Sequence, residues 1–336
     1  MEQELNLSEW SSVGQDMLTE KEDRSQDYKS IISFGVRFLD CVFRGILPSD
    51  VVLLGAKTGG GKTELVSTIA SNAIESGKRV AMFALEAEAK EISRRIKYRH
   101  ISKEYYSNPK FWPKCTFRKL NFVDWEAGDF DDLLSEVEEK TSIELSEKYQ
   151  NMIVRYKKER FDVDDLRTEM ISVKDKVDFI ILDHVHYIDL AGDNENKELT
   201  DLIHTIRQVA LVIKKPVIVV AHVRKTNAAM KILIPDIEDF HGSSNLSKIC
   251  TKALMIAPAY DQEHKPTLFP TYMRVCKFRK DGSRTRFVAL LNFDIATNSY
   301  EKDFQLGTLD GSGSKFSLID DESKLPYWAK KIKDEK

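Results

Sequence analysis

Short apolar runs alternate with stretches of helical periodicity over most of this chain. Between the runs, apolar residues recur at the three- and four-residue spacing of amphipathic helices, as in residues 63–76 and 199–213. Alternating strands and helices build parallel sheets that are covered on both faces. The pattern therefore predicts an α/β fold with a mostly parallel central sheet flanked by helices. The predicted strands lie at residues 51–54, 79–85, 177–183 and 217–221.

The pattern changes in the last third of the chain. Apolar runs at residues 253–257, 272–278 and 285–292 predict further strands. The last two flank the segment RKDGS at 279–283, in which Asp-Gly is a hairpin signal. We therefore expect a C-terminal antiparallel hairpin.

Residues 1–30 are polar and charged, apart from a few apolar side chains at helical spacing. These are Leu7, Trp10, Val13 and Met17. A helix this short is marginal in water without a surface to dock on. The segment is therefore either a tail with a fortuitous stripe or an arm that docks on a neighbouring subunit, and both readings stay open.

Three other segments complete the outline. Residues 119–123 predict another strand, the third in chain order. The charged residues 126–170 predict two or three helices, with about 126–160 as an insertion. Such a charge run is typical of a solvated face. Residues 301–336 are rich in Gly, Ser and Lys, which predicts a peripheral tail. The main domain would then span residues 31–300.

Composition excludes several classes of protein. The chain has 336 residues, of which 42% are hydrophobic and 31% charged, as in soluble globular proteins. No apolar stretch approaches a membrane span, and the acidic N-terminus is unlike a signal peptide. Four scattered cysteines fit reduced thiols rather than disulfides or a metal site. We therefore expect a cytoplasmic protein with no membrane partner.

Charge is unevenly distributed. The formal net charge is −3, which argues against a uniformly basic nucleic-acid binder. Residues 121–150 hold ten acidic and two basic side chains, whereas residues 271–286 hold six basic side chains and one acidic. Contacts with nucleic-acid phosphates would therefore have to be local.

A glycine-rich loop connects the first predicted strand to a helix. Residues 51–63 read VVLLGAKTGGGKT and end in the A-x-x-x-x-G-K-T pattern of a P-loop. Glycines let consecutive backbone N–H groups surround a phosphate, and the following helix adds the positive end of its dipole. The lysine contacts the β- and γ-phosphates and the threonine hydroxyl binds Mg²⁺. The predicted nucleotide-binding residues are Ala56, Thr58, Gly59, Gly60, Gly61, Lys62 and Thr63.

Three polar residues lie where predicted strands end, the edge at which open α/β sheets place their chemistry. Asp183 ends the run VDFIILD, a Walker B pattern whose carboxylate orients Mg²⁺. Glu86 could orient or deprotonate the attacking water, and His222 could sense the γ-phosphate. The alternatives are a surface glutamate that begins a helix, where acids are favoured anyway, and a histidine that simply ends a strand.

Two further pairs carry candidate chemistry. His184 and His186 form H-x-H, but no Cys or further His lies at ligand spacing, so packing is the favoured reading. Lys277 and Arg279 lie near the hairpin tip, far along the chain from the P-loop. Cations presented in this way could complete a neighbouring subunit's ATP site as an arginine finger, or could be exposed hairpin charges.

Taken together, residues 33–294 resemble the hexameric replicative helicases of the DnaB type, and in places the helicase half of phage primase-helicases. The order and spacing of six segments carry the resemblance. The segments read FGVRFLDCVFRGILPSDVVLLGAKTGGGKT, FALEAEAKEISRR, FIILDHVHYID, PVIVVAHVRK, DFHGSSNLSKICTKALMI and VCKFRKDGSRTRFVALLNFD.

The resemblance implies a RecA-like ATPase that forms a hexameric ring, binds ATP with Mg²⁺ between subunits and threads single-stranded DNA through its channel. It implies that Glu86 is the catalytic base and Asp183 the Walker B acid, with His222 at the sensor position. Lys277 and Arg279 match the K-x-R pair that acts in trans. A primase or loader protein would be a partner. The loop that matches the DNA-contacting segment comprises His241, Gly242, Ser243, Ser244 and Asn245, with Lys248.

The chain also departs from the family pattern. Only residues 1–30 precede the matching region, so we expect no helical collar and no primase domain, and this arm would have to serve as the linker helix between subunits. Two other functions stay open. One is a RecA-like DNA-associated ATPase, of recombination or loader type, that does not unwind. The other is a module that binds ATP as a switch, for which Glu86 and the K-x-R pair would be unnecessary.

Overall fold

The computed structural model describes residues 12–107, 120–156, 161–189, 195–224, 232–240 and 248–330. The strands are β1 (Val51–Ala56), β2 (Val80–Ala84), β3 (Met152–Tyr156), β4 (Phe179–Asp183), β5 (Val217–His222), β6 (Lys252–Pro258), β7 (Leu268–Phe278), β8 (Val288–Asp294), β9 (Ser299–Leu309) and β10 (Phe316–Leu318). The helices are α1 (Val13–Lys29), α2 (Arg37–Phe43), α3 (Lys62–Glu75), α4 (Ala89–Ser107), α5 (Phe122–Glu126), α6 (Asp132–Lys148), α7 (Val163–Ser172), α8 (Glu195–Ile213) and α9 (Tyr327–Lys330).

All these strands form one sheet in the order β10-β9-β8-β7-β6-β1-β5-β4-β2-β3. The six strands from β6 to β3 are parallel. Alternate residues of β1 pack in two separate cores, Val52 and Leu54 in one and Val51 and Leu53 in the other, as expected for a strand covered on both faces. The predicted α/β fold is confirmed. We call the edge where the parallel strands end the carboxyl edge, and the opposite one the amino edge.

The predicted C-terminal antiparallel hairpin is formed by β7 and β8. Its second strand begins at Val288 rather than at residue 285, because Gly282–Arg286 form a 3₁₀ turn. Asp281 accepts a hydrogen bond from the Ser283 N–H at 3.1 Å at the start of this turn. Arg284 is buried and donates to the Val42 carbonyl at 2.6 Å. The turn is therefore anchored to α2, which shortens the strand.

The chain remains part of the sheet beyond residue 300, since β9 pairs with β8 and β10 pairs with β9. Trp328 is 5% exposed, and its ring contacts the rings of Phe38 and Phe287. The prediction of a peripheral tail is therefore wrong for the described residues 301–330. The prediction fails because the segment has a low average hydrophobicity, although the core buries a few of its apolar side chains.

Two predictions between β2 and β4 also need correction. The strand expected at residues 119–123 is absent from the described part of that segment, since the Asn121 side chain accepts a hydrogen bond from the Asp124 N–H at 3.0 Å and begins α5. The charged region contains α6 and α7 as expected, but β3 lies between them as a parallel edge strand beside β2. Whether residues 126–160 are an insertion relative to the family stays a prediction.

Helix α1 has no buried residue. Val13, Met17 and Leu18 are 68%, 72% and 84% exposed, and Leu7 and Trp10 lie outside the described residues. Docking of this arm on a neighbouring subunit stays a prediction. No helix in the described part of the chain is long and apolar enough to cross a membrane.

Candidate nucleotide site

The P-loop sequence forms a tight turn between β1 and α3. Gly59 and Gly61 have φ angles of +74° and +87°, in the region that favours glycine. A Cβ atom on Gly60 would lie 2.9 Å from both the Ala56 side chain and the Lys57 carbonyl oxygen. Because Gly61 is the N-cap of α3, the free N–H groups at the start of that helix lie at the loop. The turn therefore has the conformation and the donors that a phosphate requires.

A cavity of about 260 Å³, which we call the phosphate cavity, lies beside the loop at the carboxyl edge. It brings together residues from the P-loop, the region after β2, α4 and the end of β5. Six of the seven predicted nucleotide-binding residues line it; the seventh, Ala56, is buried at the end of β1 beneath the loop. The lining residues are Thr58, Gly59, Gly60, Gly61, Lys62, Thr63, Glu64, Glu86, Arg95 and His222.

Strand register explains why residues far apart in sequence meet here. Ala56 at the end of β1 is paired with His222 at the end of β5, and Ala84 at the end of β2 is paired with Asp183. Glu86 follows two residues after β2. Because parallel strands end at one edge of a sheet, all three residues lie at the carboxyl edge. Glu86 and His222 line the cavity, whereas Asp183 lies at the same edge without being one of the lining residues.

Lys62 lies over the loop rather than in solvent. It is 7% exposed, and its Nζ donates hydrogen bonds to the carbonyl oxygens of Ala56 and Lys57 at 3.2 and 3.3 Å. Burial lowers the pKa of Lys62, and the nearby charges of Glu86 and Asp183 oppose that shift. A cation is thus held between the loop and two carboxylates, where it can contact phosphate oxygens.

Asp183 has the surroundings of a cation ligand. It is 3% exposed, and its Oδ1 is buried without a hydrogen-bond partner among the described residues. Burial first, and the Glu86 carboxylate second, raise the pKa of Asp183 to about 7. An orphaned carboxylate oxygen at the edge that also holds the P-loop threonine fits Mg²⁺, which prefers oxygen ligands. Asp183 and Thr63 would therefore hold that ion.

Three histidines form a cluster at the end of β4 and β5. The ring centroid of His184 is 3.7 Å from that of His222 and 5.1 Å from that of His186. His184 is fully buried, and burial lowers its pKa to about 2, with the neighbouring histidines adding to the shift. Burial and Lys62 also lower the pKa of His222, so its imidazole is neutral near pH 7.

Arg95 is a cavity residue that the sequence analysis does not single out. It projects from α4 and forms ion pairs with Glu64, directly after the P-loop, and with Glu91 at 2.9 Å. Two carboxylates therefore hold its guanidinium beside the phosphate cavity. Its signal in the sequence is weak because α4 carries many charges, and only the helical phase tells which of them faces the loop.

Lys277 and Arg279 lie at the opposite edge of the sheet from the P-loop. Because β7 is antiparallel to β6, Phe278 is paired with Lys252, the first residue of β6. Lys277 Nζ donates to the Lys248 carbonyl at 3.3 Å, and the Arg279 N–H donates to the Thr251 carbonyl at 3.0 Å. The two edges of a sheet with strands of this length are roughly 15–20 Å apart. The pair is therefore not positioned to reach the nucleotide site of its own chain.

Residues 32–291 match the family model of the DnaB-like helicase C terminal domain. This match covers more than half of the chain. The chain belongs to that family. The family predicted from the six sequence segments is therefore confirmed.

Similar proteins agree with this assignment. The replicative DNA helicase DnaB of Helicobacter pylori is 20% identical over 260 residues, which are 76% of this chain and 49% of that protein. The chain thus spans about half the length of this curated relative. A solved structure of a DnaB-like replicative helicase and its interactions with primase has a TM-score of 0.69 at 16% identity, covering 86% of this chain and 66% of that one. A second solved structure, of an ATPase domain, has a TM-score of 0.61 at 14% identity, covering 92% and 99%.

A second cavity adjoins the phosphate cavity of this DnaB-like domain. It has a volume of about 240 Å³ and shares Gly59, Gly60, Gly61 and Glu64 with the first. Apolar and aromatic side chains form most of its other walls, and the rings of Phe293 and Tyr300 meet edge to face at 5.0 Å between centroids. Such walls suit a flat heterocycle. The other lining residues are Pro258, Phe269, Thr271 and Ile295.

The predicted DNA-contacting loop of this DnaB-like domain lies mostly outside the described residues. The residues that lie outside are His241, Gly242, Ser243, Ser244 and Asn245, and their role stays a prediction. Lys248 is described and exposed, and its carbonyl accepts the hydrogen bond from Lys277. The end of this segment is therefore in contact with the K-x-R pair.

Proposed function

We propose that this chain is the ATP-driven motor of a replicative helicase of the DnaB type. It would hydrolyse ATP with Mg²⁺ at sites between the subunits of a hexameric ring and move along single-stranded DNA. The observation that carries the proposal is the placement of Lys62, Glu86, Asp183 and His222 at one edge of the sheet, with Lys277 and Arg279 at the other. A ring in which the two edges of neighbours meet would join both sets in one site.

Each residue at the carboxyl edge has a distinct role in this proposal. The P-loop N–H groups and Lys62 bind the phosphates, and Asp183 and Thr63 hold Mg²⁺, which offsets phosphate charge when it is bound. Glu86 is exposed, so its carboxylate can accept a hydrogen bond from the attacking water and orient it. The neutral imidazole of His222 can donate a hydrogen bond to the γ-phosphate. Arg95, held by Glu64, adds a second fixed cation.

The amino edge completes the site of the next subunit. Arg279 and Lys277 stabilise the charge that develops on the transferred phosphoryl group, as an arginine finger does. Lys248, which Lys277 contacts, would link this step to the DNA-contacting segment 241–245. Because one solved DnaB-like helicase was determined with primase interactions, a primase or loader is the partner class we propose.

Substitution of Lys62 tests the nucleotide site. We expect Lys62→Ala to lower the rate of ATP hydrolysis by at least ~10²-fold and to weaken nucleotide binding, because it removes the fixed cation at the phosphates. Lys57→Ala is the matched control, since this neighbouring loop lysine is exposed and its carbonyl, which the substitution keeps, accepts the hydrogen bond from Lys62. Equal loss of activity in both variants, or none in Lys62→Ala, would contradict the assignment.

A further inference from the structure

A set of potential metal ligands lies beside the nucleotide site and includes one residue that the proposed hydrolysis does not use. Glu86, His184 and His222 each offer one ligand atom, and these three atoms lie within 4.8 Å of one another. The positions follow from the fold: His184 comes directly after β4, His222 ends β5, and Glu86 follows β2. Three neighbouring strands of the parallel sheet therefore bring one ligand each to the same point.

His184 supplies a second, independent observation. It is fully buried, yet its Nε2 has no hydrogen-bond partner among the described residues. A buried polar atom without a partner is destabilising, so such an atom calls for a ligand or a role. Its other ring nitrogen accepts a hydrogen bond from the His186 N–H at 3.4 Å. Metal binding through Nε2 would move the ring proton to Nδ1 and give up this long, weak contact.

We propose that Glu86, His184 and His222 form a site for a divalent cation of the Zn²⁺ class, distinct from the Mg²⁺ position at Thr63 and Asp183. Two imidazole nitrogens and one carboxylate oxygen are ligands that Zn²⁺, Co²⁺ and Ni²⁺ accept, whereas Mg²⁺ prefers oxygen. Three protein ligands leave a fourth position of a tetrahedral ion open to water.

Small side-chain rotations would bring the three ligand atoms to the distances that a bound ion requires. Ligand atoms of a tetrahedral Zn²⁺ lie roughly 3.3 Å apart, given Zn–N and Zn–O distances near 2.0–2.1 Å. The three atoms must therefore approach each other by about 1.5 Å at most, relative to the 4.8 Å found here. Glu86 is exposed and His222 half-buried, so both side chains can turn toward the ion, while burial fixes His184.

Occupation of this site would switch hydrolysis off. The proposed function uses the Glu86 carboxylate to orient water and the His222 imidazole to contact the γ-phosphate, and a bound cation would occupy both groups. This regulatory half rests on the proposed function, whereas the metal site itself does not. We therefore expect Zn²⁺ to inhibit ATP hydrolysis at constant Mg²⁺ and ATP.

Metal binding is measured on nucleotide-free, chelator-treated protein, by calorimetry with Zn²⁺ and by the visible absorption of Co²⁺. One strongly bound ion per chain is expected. Glu86→Gln and His184→Ala should each weaken binding at least ~10-fold, because each removes a direct ligand. His204→Ala is the matched control, since it removes an exposed histidine of α8 and should leave the affinity unchanged.

The outcomes separate this proposal from the function proposed above. Lys62→Ala should abolish hydrolysis and keep the metal site. Equal Zn²⁺ affinity in the wild-type protein, Glu86→Gln and His184→Ala would overturn the site. If His184→Ala does not fold, Glu86→Gln decides alone, because its side chain is exposed. Binding that depends on these ligands but leaves hydrolysis unchanged would overturn the regulatory half.

Discussion

Lys62 and Asp183 are buried, oppositely charged side chains at the carboxyl edge of the sheet. The free energy of burying each charge is only partly offset by the other, as the directions of their pKa shifts indicate. Buried charged groups with shifted pKa values are concentrated at functional sites, including those that bind charged ligands. The positions of Glu86, Asp183 and His222 could be predicted from the sequence because each ends or follows an apolar strand run. Arg95 could not, because its position depends on the helical phase of α4. For His184 the sequence favours packing, because it does not show that Glu86 and His222 lie beside this residue.

Asp183→Asn should change how stability depends on pH. Because the pKa of Asp183 rises to about 7 on folding from its ordinary value of 3.8, the folded protein binds this proton more tightly than the unfolded chain. Its contribution to stability is therefore fully present below pH 3.8 and is lost as pH rises toward 7. We expect Asp183→Asn to be more stable than the wild type at pH 8, by about 2 kcal/mol more than at pH 5.

Urea unfolding of the two proteins without nucleotide or metal measures this difference. Lys57→Ala serves as the control, because its exposed side chain has no part in the buried cluster. Parallel stability curves for the wild type and Asp183→Asn between pH 5 and pH 8 would show that the carboxylate is not buried in the way described here.

The strands with continuous apolar runs could be predicted from the sequence, whereas several short elements could not. β3 has only five residues, and they alternate between half-buried and exposed, so the charged sequence around them concealed the strand. The expected strand at 119–123 has apolar residues, but the side chain of Asn121 stabilises a helix start instead. The tail beyond residue 300 was not predictable because β10 and α9 have only three and four residues. Their apolar side chains Phe316 and Trp328 contact Tyr272 and Phe38, which lie far away in the sequence.

Trp328→Ala tests whether the C-terminal segment belongs to the core. Its buried ring meets Phe287 edge to face at 5.6 Å between centroids, and the Arg284 guanidinium lies 5.9 Å from its centre. We expect the substitution to lower the free energy of unfolding by about 3–5 kcal/mol, measured by urea denaturation. Leu318→Ala on β10, where the side chain is 41% exposed, should cost less than about 1 kcal/mol. Similar small losses of unfolding free energy in both variants would show that this segment is peripheral and not part of the core.

The two halves of the proposed active site lie at opposite edges of one sheet. In the proposed mechanism this chain would need a neighbour, since Lys277 and Arg279 are about 15–20 Å from the carboxyl edge of their own sheet. The resemblance in sequence predicts a trans role, and the antiparallel direction of β7, which places the pair at the amino edge, is consistent with this prediction. The formation of a ring, its size and the docking of α1 stay predictions.

Mixing two inactive variants tests the site between subunits. Lys62→Ala lacks a phosphate-binding lysine and Arg279→Ala lacks a trans cation, so each alone should hydrolyse ATP at least ~10²-fold more slowly than the wild type. In mixed rings, some sites combine an intact P-loop with an intact Arg279 from the neighbour. Hydrolysis by the mixture should therefore exceed that of either variant alone. Arg279→Ala should still bind nucleotide, and full activity of this variant would exclude the trans role.

The rate of ATP hydrolysis per chain, measured across protein concentration with and without single-stranded DNA, decides whether this protein is a ring motor. We predict a rate that rises cooperatively with concentration, as sites form between subunits, and rises further with DNA. Unwinding of a forked duplex would then be the next assay. A rate per chain that is independent of both concentration and DNA would contradict the ring motor and favour a RecA-like ATPase that does not unwind.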